Sequence, residues 1–459
     1  MPEIKDVLSE KKIFAILEKT ERPTQGRILA ILKKALEKKG LDLEELGFLL
    51  NTKDAKLIGK MFQTAGRIKK EIYGERLVFF APLYISSFCV NDCEYCGFHR
   101  RNPAPRRKLS LKEIEAEVII LENKGHKRLL MEFGEHSVKN PIDYVVDAIK
   151  TIYNTKSDKG EIRRVNVNIA ATTVENYRKL KAAGIGTYQL FQETYHQETF
   201  KKLHNGPKAD YERQLFAHNR AFEAGIDDVG LGVLFGLYDY KFEVLAMVSH
   251  AQYLDKKFGV GPHTFSVPRW QPTETANWPQ PPYPVSENEL LKIIAILRMA
   301  APYTGMIIST RERAEIRAKA FKIGISQTSA GSRTSPGAYN KDGEISQFSI
   351  QDHRNLDQVL ESALKQNLLP SFCTACYRQG RTGKAFMDLA KPGNIQDFCR
   401  PNAILTFQEY LDDYASGPVK KSGAKIINKY LKEITNFKIR KETRERLKRI
   451  KKGERDIYF

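Results

Sequence analysis

Apolar and polar positions change rhythm twice along this 459-residue chain. Over residues 1–75, apolar side chains recur at spacings of three and four, as at Ile28, Ile31, Leu32 and Leu36, which predicts a helical lead-in. Thr52 and Asp54 offer a cap for a helix running toward Tyr73. From residue 77 the pattern becomes eight short apolar runs, each read as a strand: 77–86, 127–135, 164–170, 187–194, 228–237, 263–269, 305–310 and 322–331. Amphipathic stretches at 111–124, 173–183, 210–224, 242–257 and 286–300 separate them, and a shorter helix is expected over 311–320. Eight strand–helix alternations predict an α/β fold, a (β/α)8 barrel of TIM type, over residues 76–340. An open doubly wound sheet is the alternative. Residues 341–459 read as a mainly helical C-terminal domain, punctuated at Pro392-Gly393 and Gly417-Pro418. Three parts are therefore expected: 1–75, 76–340 and 341–459.

Polar residues gather at the strand ends. Glu135 closes the second run, Asn168 lies near the end of the third, and Gln192 and Glu193 close the fourth. Ser309, Thr310 and Arg311 follow the seventh, and Gln327, Ser329 and Ser332 lie along or just beyond the eighth. In a barrel such ends converge on one face, where the loops build an active site.

Composition narrows the class. A hydrophobic content of 41% supports a real core. No run of 18 apolar residues occurs, so no membrane span is expected, and the start MPEIKDVLSEKKIF lacks an apolar signal core. A cytoplasmic, anaerobic setting suits the cysteines described next. The net charge is +20, and residues 420–459 hold 15 Lys and Arg against 5 Asp and Glu. That tail reads either as a solvated cationic helix face or as a docking surface for an acidic partner. No helix-turn-helix, RNP-like or zinc-finger pattern supports nucleic acid.

All six cysteines fall in two triplets. Cys89, Cys93 and Cys96 form C-x3-C-x2-C, and Cys373, Cys376 and Cys399 form C-x2-C-x22-C. Soft thiolates at short spacing select zinc or iron–sulfur clusters. Three cysteines on a cubane leave one iron open, whereas a structural zinc needs a fourth ligand, which His99 could supply to the first triplet. Disulfides fit poorly with a large chain lacking a secretory signal.

The motif SSFCVNDCEYCGFHR, with Tyr95 before the last cysteine, resembles the signature of the radical S-adenosylmethionine (SAM) superfamily. That resemblance implies a radical SAM barrel, with three thiolates holding a 4Fe–4S cluster whose open iron chelates SAM. MEFGEH (131–136) matches the edge motif for the SAM amino group and ends at Glu135. Glu193 and Arg213 are implied partners for its ribose and carboxylate, with helix-surface or strand-end salt bridges as the alternative, and Asn168 completes the candidate cofactor set.

The stretches IYGERLVFFAPLYISSFCVNDCEYCGFHRRN, GIDDVGLGVLFGLYDY, IISTRE and GISQTSAGSR resemble tyrosine-cleaving lyases. The stretch 369–416, with the second triplet, is similar to the tyrosine lyase of FeFe-hydrogenase maturation rather than to that of thiamine synthesis. The resemblance implies cleavage of L-tyrosine to p-cresol and dehydroglycine, then carbon monoxide and cyanide at a second 4Fe–4S cluster carrying an additional iron. It further implies hydrogenase maturation proteins and an acidic flavodoxin- or ferredoxin-like reductant as partners. Arg311 is the candidate clamp for the substrate carboxylate, since a guanidinium binds it bidentately; a pairing with Glu315 at i,i+4 is the alternative. Ser309 and Gln327 are secondary candidates. His263, at the start of the sixth run, would stand at the barrel's amino-terminal end; the match around GPHTFSVPR implies that it completes the additional iron's coordination, and a satisfied core histidine is the alternative. A tyrosine lyase that stops at dehydroglycine, and a cationic zinc-stapled scaffold, remain competing readings.

Overall fold

The structure, a computed structural model, describes residues 2–273, 278, 280–341 and 345–459. Eight parallel strands form the centre: β1 (Arg76–Ser86), β2 (Arg128–Phe133), β3 (Arg164–Asn168), β4 (Tyr188–Gln189), β5 (Val229–Gly232), β6 (Thr264–Ser266), β7 (Gly305–Ile308) and β8 (Gln327–Ser329). Each pairs with the next, and β8 returns to β1 through Val78–Gln327, Phe79–Thr328 and Phe80–Ser329. The sheet is thus a closed barrel, not an open one. Helices cover its outside, so β1 is buried along almost its whole length and reads as a continuous apolar run.

Local chemistry sets the element boundaries. Ser110 with Glu113, and Ser286 with Glu289, form capping boxes that start the helices Leu111–Asn123 and Glu287–Ala300. The run expected over 322–331 shrinks to Gln327–Ser329, because Lys322 and Ile323 complete the helix Ala314–Ile323 and Gly324 ends it. The helix expected over 210–224 is two helices, Tyr211–Leu215 and Ala217–Glu223, which break at Phe216.

A ninth strand, β9 (Leu369–Ser371), was not legible beforehand. It pairs in parallel with Arg76–Val78 at the amino end of β1. The pairing of β2 with β1 begins only at Ala81, so the first residues of β1 offer a free edge, which β9 takes. Pro370 is tolerated because β9 is itself an edge strand. The chain then delivers the second cysteine triplet directly beneath the barrel.

The N-terminal helices pack on the barrel's outer ring: Ala55–Tyr73 on Glu287–Ala300, and Glu10–Lys19 and Leu43–Asn51 on Tyr240–Phe258. At the other end of the chain, the helix Gln396–Asp413 lies on β9, and Gly417–Lys432 and Phe437–Lys451 pack against it. The basic tail therefore buries a stripe of Thr443, Leu447 and Ile450. Part of its charge is neutralised internally, by Arg446–Glu442, Lys448–Glu445 and Arg449–Glu454. Among the described residues no helix is long and apolar enough to cross a membrane.

Candidate active site

Side chains along a strand alternate between its faces, so inward positions advance two residues at a time. Among the described residues, two cavities are lined by inward-facing strand positions, and their linings divide along these steps. On β1, Arg76 and Val78 line the lower cavity, and Phe80, Pro82 and Tyr84 the upper. Arg128 lies below and Leu130 and Glu132 above; Gly305 below and Ile307 and Ser309 above; Gln327 below and Ser329 above. On all four strands the boundary falls between consecutive inward residues, a rise of about 7 Å.

The upper cavity, about 180 Å³, lies at the carboxyl ends of the strands and takes in all three cysteines of the first triplet. They sit on the loop after β1. The Arg106 guanidinium clamps that loop by donating to the carbonyls of Ser87 (3.2 Å), Phe98 (3.0 Å) and Asn102 (3.1 Å). Gly134 lets the loop lie flat on the MEFGEH segment, since a Cβ there would meet the Phe88 carbonyl oxygen at 2.4 Å. Val90 N–H then donates to the Glu135 carbonyl at 2.7 Å. Tyr95 hydroxyl lies 2.7 Å from His204 Nε2, whose Nδ1 is engaged by the Phe200 carbonyl at 2.7 Å, so Tyr95 is held as the donor. His99 turns instead to Asp92, at 3.2 Å, and does not line the cavity. Burial pushes the thiols of Cys89, Cys93 and Cys96 up, Cys96 to about 11. Thiolates in this chamber need a compensating positive core, which a bound iron–sulfur cluster provides.

Tyr95, Glu135, Asn168, Glu193, Ser309 and Arg311 all line this cavity. Glu135 is pinned by Asn91 Nδ2 and by Arg213, each at 2.6 Å. Arg213 itself does not line the cavity; it stands behind Glu135 and also donates to the Ala171 carbonyl. Glu193 has a left-handed backbone, φ +70°, unusual for a residue with a side chain. That turn directs its carboxylate to Lys208 Nζ at 3.1 Å. Burial lowers the Lys208 pKa, but the neighbouring Glu193 carboxylate outweighs it, leaving the ammonium firmly charged.

The Arg311 guanidinium stacks 3.3 Å from the Phe348 ring centroid and pairs with no carboxylate among the described residues, Glu315 included. The Ser329 and Ser332 hydroxyls line the same cavity, buried without a hydrogen-bond partner. A free guanidinium and two unsatisfied hydroxyls in one pocket suit a carboxylate-bearing ligand.

Sequence reasoning missed Glu132. It faces inward between Leu130 and Gly134, and burial pushes its carboxyl up to about 8 against the pull of Asn168 and Arg311. Its signal was available: a charged residue at an inward position inside an apolar run.

Gln327, expected beside Ser309 and Arg311, instead lies one inward step below Ser329 and lines the lower cavity. That smaller chamber, about 40 Å³, brings Cys373, Cys376 and Cys399 together with His263, Arg76, Arg128 and Arg381. Cys373 follows β9, whereas Cys399 lies in the first turns of the helix Gln396–Asp413. His263 directly precedes β6; its N–H donates to the Val229 carbonyl and its carbonyl accepts from Gly305 N–H, both at 2.8 Å. The imidazole packs 4.3 Å from Phe386 between ring centroids, and its Nδ1 stands 3.7 Å from Asp228. Burial, aided by Arg128 and Arg76 against Asp228, lowers its pKa, so the ring is neutral and able to ligate.

Burial also raises the Cys373 and Cys399 thiols. Nearby Arg76 loses to burial but gains more from those sulfurs, ending above its ordinary pKa. The Nε atoms of Arg76, Arg128 and Arg381 are buried without partners, and this donor set suits a sulfur-ligated cluster with negative charge around it. All six cysteines are free of disulfides. Among the described residues, no three His, Cys, Asp or Glu side chains are grouped to hold a single metal ion.

Comparison with known proteins follows this geometry. The Radical SAM superfamily pattern matches residues 83–249, and that of the biotin and thiamin synthesis associated domain residues 266–368. The chain is 31% identical to 2-iminoacetate synthase of Salmonella typhimurium over 348 residues, 75% of this chain and 90% of that protein. It superposes on a crystal structure of HydG, a maturase of the FeFe-hydrogenase, with a TM-score of 0.97 and 54% identity, covering 99% of this chain and all of that one. The chain belongs to the radical SAM family of HydG and 2-iminoacetate synthase. HydG from Carboxydothermus hydrogenoformans matches at 39% identity and a TM-score of 0.85, over 96% of this chain and 99% of its own. This family member is therefore a radical SAM carbon–carbon lyase, and membership implies a 4Fe–4S cluster and SAM. The match to the synthase leaves a quarter of the chain outside it, whereas the HydG match leaves almost nothing.

Proposed function

We propose that this enzyme cleaves L-tyrosine to p-cresol and dehydroglycine in the upper cavity, then converts dehydroglycine to carbon monoxide, cyanide and water in the lower chamber. The product is an iron carbonyl–cyanide unit for hydrogenase maturation proteins that assemble the FeFe-hydrogenase active site. When bound, SAM and a reduced 4Fe–4S cluster supply a 5′-deoxyadenosyl radical. The chain's own residues prepare the rest. Cys89, Cys93 and Cys96 hold that cluster, and Tyr95 packs beside them. Glu135, kept in place by Arg213 and Asn91, meets the SAM ammonium, and Glu193 and Asn168 take its remaining polar groups. Arg311 binds the tyrosine carboxylate, with Ser309 beside it. Glu132, neutral below about pH 8, adds no second negative charge next to that carboxylate.

In the lower chamber Cys373, Cys376 and Cys399 hold a second 4Fe–4S cluster, and His263 ligates an additional iron. Arg76 and Arg128 attract the dehydroglycine carboxylate. An acidic flavodoxin- or ferredoxin-like protein supplies electrons, and the setting is cytoplasmic and anaerobic.

One observation carries this reading: a second cysteine triplet and His263 meet in a chamber one inward step below the first. The test is anaerobic reconstitution with isotope-labelled tyrosine. Labelled carbon monoxide and cyanide accompanying p-cresol support it. Formation of p-cresol with neither product would favour a lyase that stops at dehydroglycine, as in thiazole synthesis.

A further inference from the structure

Between the two chambers stands a layer that neither reaction uses. Phe80, Leu130 and Ile307 touch one another as an apolar cluster detached from the main core. Each keeps a little exposed surface, 6%, 7% and 5%, on the cavity side. They occupy the lowest inward level of the upper cavity, directly above Val78, Arg128 and Gly305 of the chamber below. Between Ile307 of β7 and Phe80 of β1 comes Ser329 of β8, whose hydroxyl is buried and unpartnered.

Most barrel interiors are filled at every level by large branched side chains. Here Ser329 on one strand and Gly305 one level down keep the packing open. A Cβ on Gly305 would meet Gln327 Nε2 at 2.7 Å, so the glycine also sets where that amide lies.

We propose that Phe80, Leu130 and Ile307 form a selectivity collar on the passage between the chambers, resting on the two-site reading above. The collar admits a two-carbon imino acid, whose carboxylate is met by Ser329 and then by Arg128. It bars the aromatic ring of p-cresol and a continuous column of water. Exclusion of water matters because dehydroglycine plus one water gives glyoxylate plus ammonium, which ends the route to carbon monoxide.

Two substitutions narrow the collar from opposite sides: Ile307→Trp from above and Gly305→Ala from below. The readout is carbon monoxide formed per p-cresol, with glyoxylate in the medium as the escape product. Ile307→Trp should lower that ratio by about tenfold or more, and Gly305→Ala by roughly a few-fold, because each adds bulk to the gap that Ser329 and Gly305 leave open, the methyl by pushing the Gln327 amide into it. Glyoxylate should rise by the matching amount. Since Gly305 lies outside the upper cavity, p-cresol formation in that variant reports its folding. A wild-type ratio in Gly305→Ala, with p-cresol still formed, overturns the collar even if Ile307→Trp fails to fold. Absence of carbon monoxide from the unmodified enzyme would overturn the two-site reading itself, and the collar with it.

Discussion

The two chambers use the same strands and differ in what closes them. The upper one is walled by strand carboxyl ends and their loops, and mixes acids with bases: Glu132, Glu135 and Glu193 face Lys208 and Arg311. The lower one is closed by the chain that follows β9, through Cys373, Cys376, Tyr377, Phe386 and Cys399, and its charged walls are Arg76, Arg128 and Arg381 around three sulfurs. It is also much smaller, about 40 Å³ against about 180 Å³. Mixed charge and room suit two zwitterionic ligands, SAM and an amino acid. A tight arginine-lined pocket suits thiolates and small anions. One barrel thereby presents two chemically distinct linings across a single inward step.

The largest effect expected from breaking this contrast is at Cys96. Cys96→Ala should abolish SAM cleavage, p-cresol and everything downstream, read by chromatography of the products. Residual p-cresol at the wild-type rate would detach the upper cavity from the radical step.

Arg311 comes next. Among the described residues its guanidinium has no ionic partner, so Arg311→Ala loses a charge-assisted carboxylate contact of about 2–3 kcal/mol, a rise in KM for tyrosine on the order of 30- to 150-fold. The affinity for SAM should change little. A KM shift confined to SAM would reassign this arginine.

A smaller effect, visible only against pH, belongs to Glu132. Its carboxyl is raised from an ordinary value of 4.5 to about 8. The folded protein therefore keeps a proton that the unfolded chain releases near 4.5, and this group's contribution to stability falls as pH climbs through that window. Above about pH 8 the ionised carboxylate competes for Arg311 and repels the substrate carboxylate, so KM for tyrosine should climb there. Glu132→Gln should flatten the climb; an identical profile in the variant would free Glu132 of any role in binding.

The smallest effect concerns the basic tail. Lys441 and Arg444 are exposed on the helix Phe437–Lys451, which packs at the second-triplet end of the barrel. If an acidic reductant docks there, reversing both charges should slow its electron delivery at low salt by roughly two- to fivefold, with dithionite-driven turnover unchanged. Equal rates with the protein reductant would leave the tail as a brace for the Cys399 helix.

Much of this was legible in advance. The barrel showed because parallel strands buried on both faces write uninterrupted apolar runs, and the triplets showed because ligand spacing is local. What escaped depended on contacts distant in sequence. Nothing in Leu369–Ser371 announces that a free edge on Arg76–Val78 awaits it. For Arg213 the sequence leaves a cofactor contact and a salt bridge both open, and it cannot show that the bridge's partner is Glu135, 78 residues away. Gln327 was misgrouped because adjacent inward positions on β8 belong to different chambers, and sequence distance does not mark that border.

The central claim is that the two sites act in series, and Cys376→Ala tests it most directly. Anaerobically reconstituted variant, given SAM, reductant and tyrosine, should form p-cresol at close to the wild-type rate while carbon monoxide falls to background. Loss of p-cresol and carbon monoxide in equal proportion would contradict it.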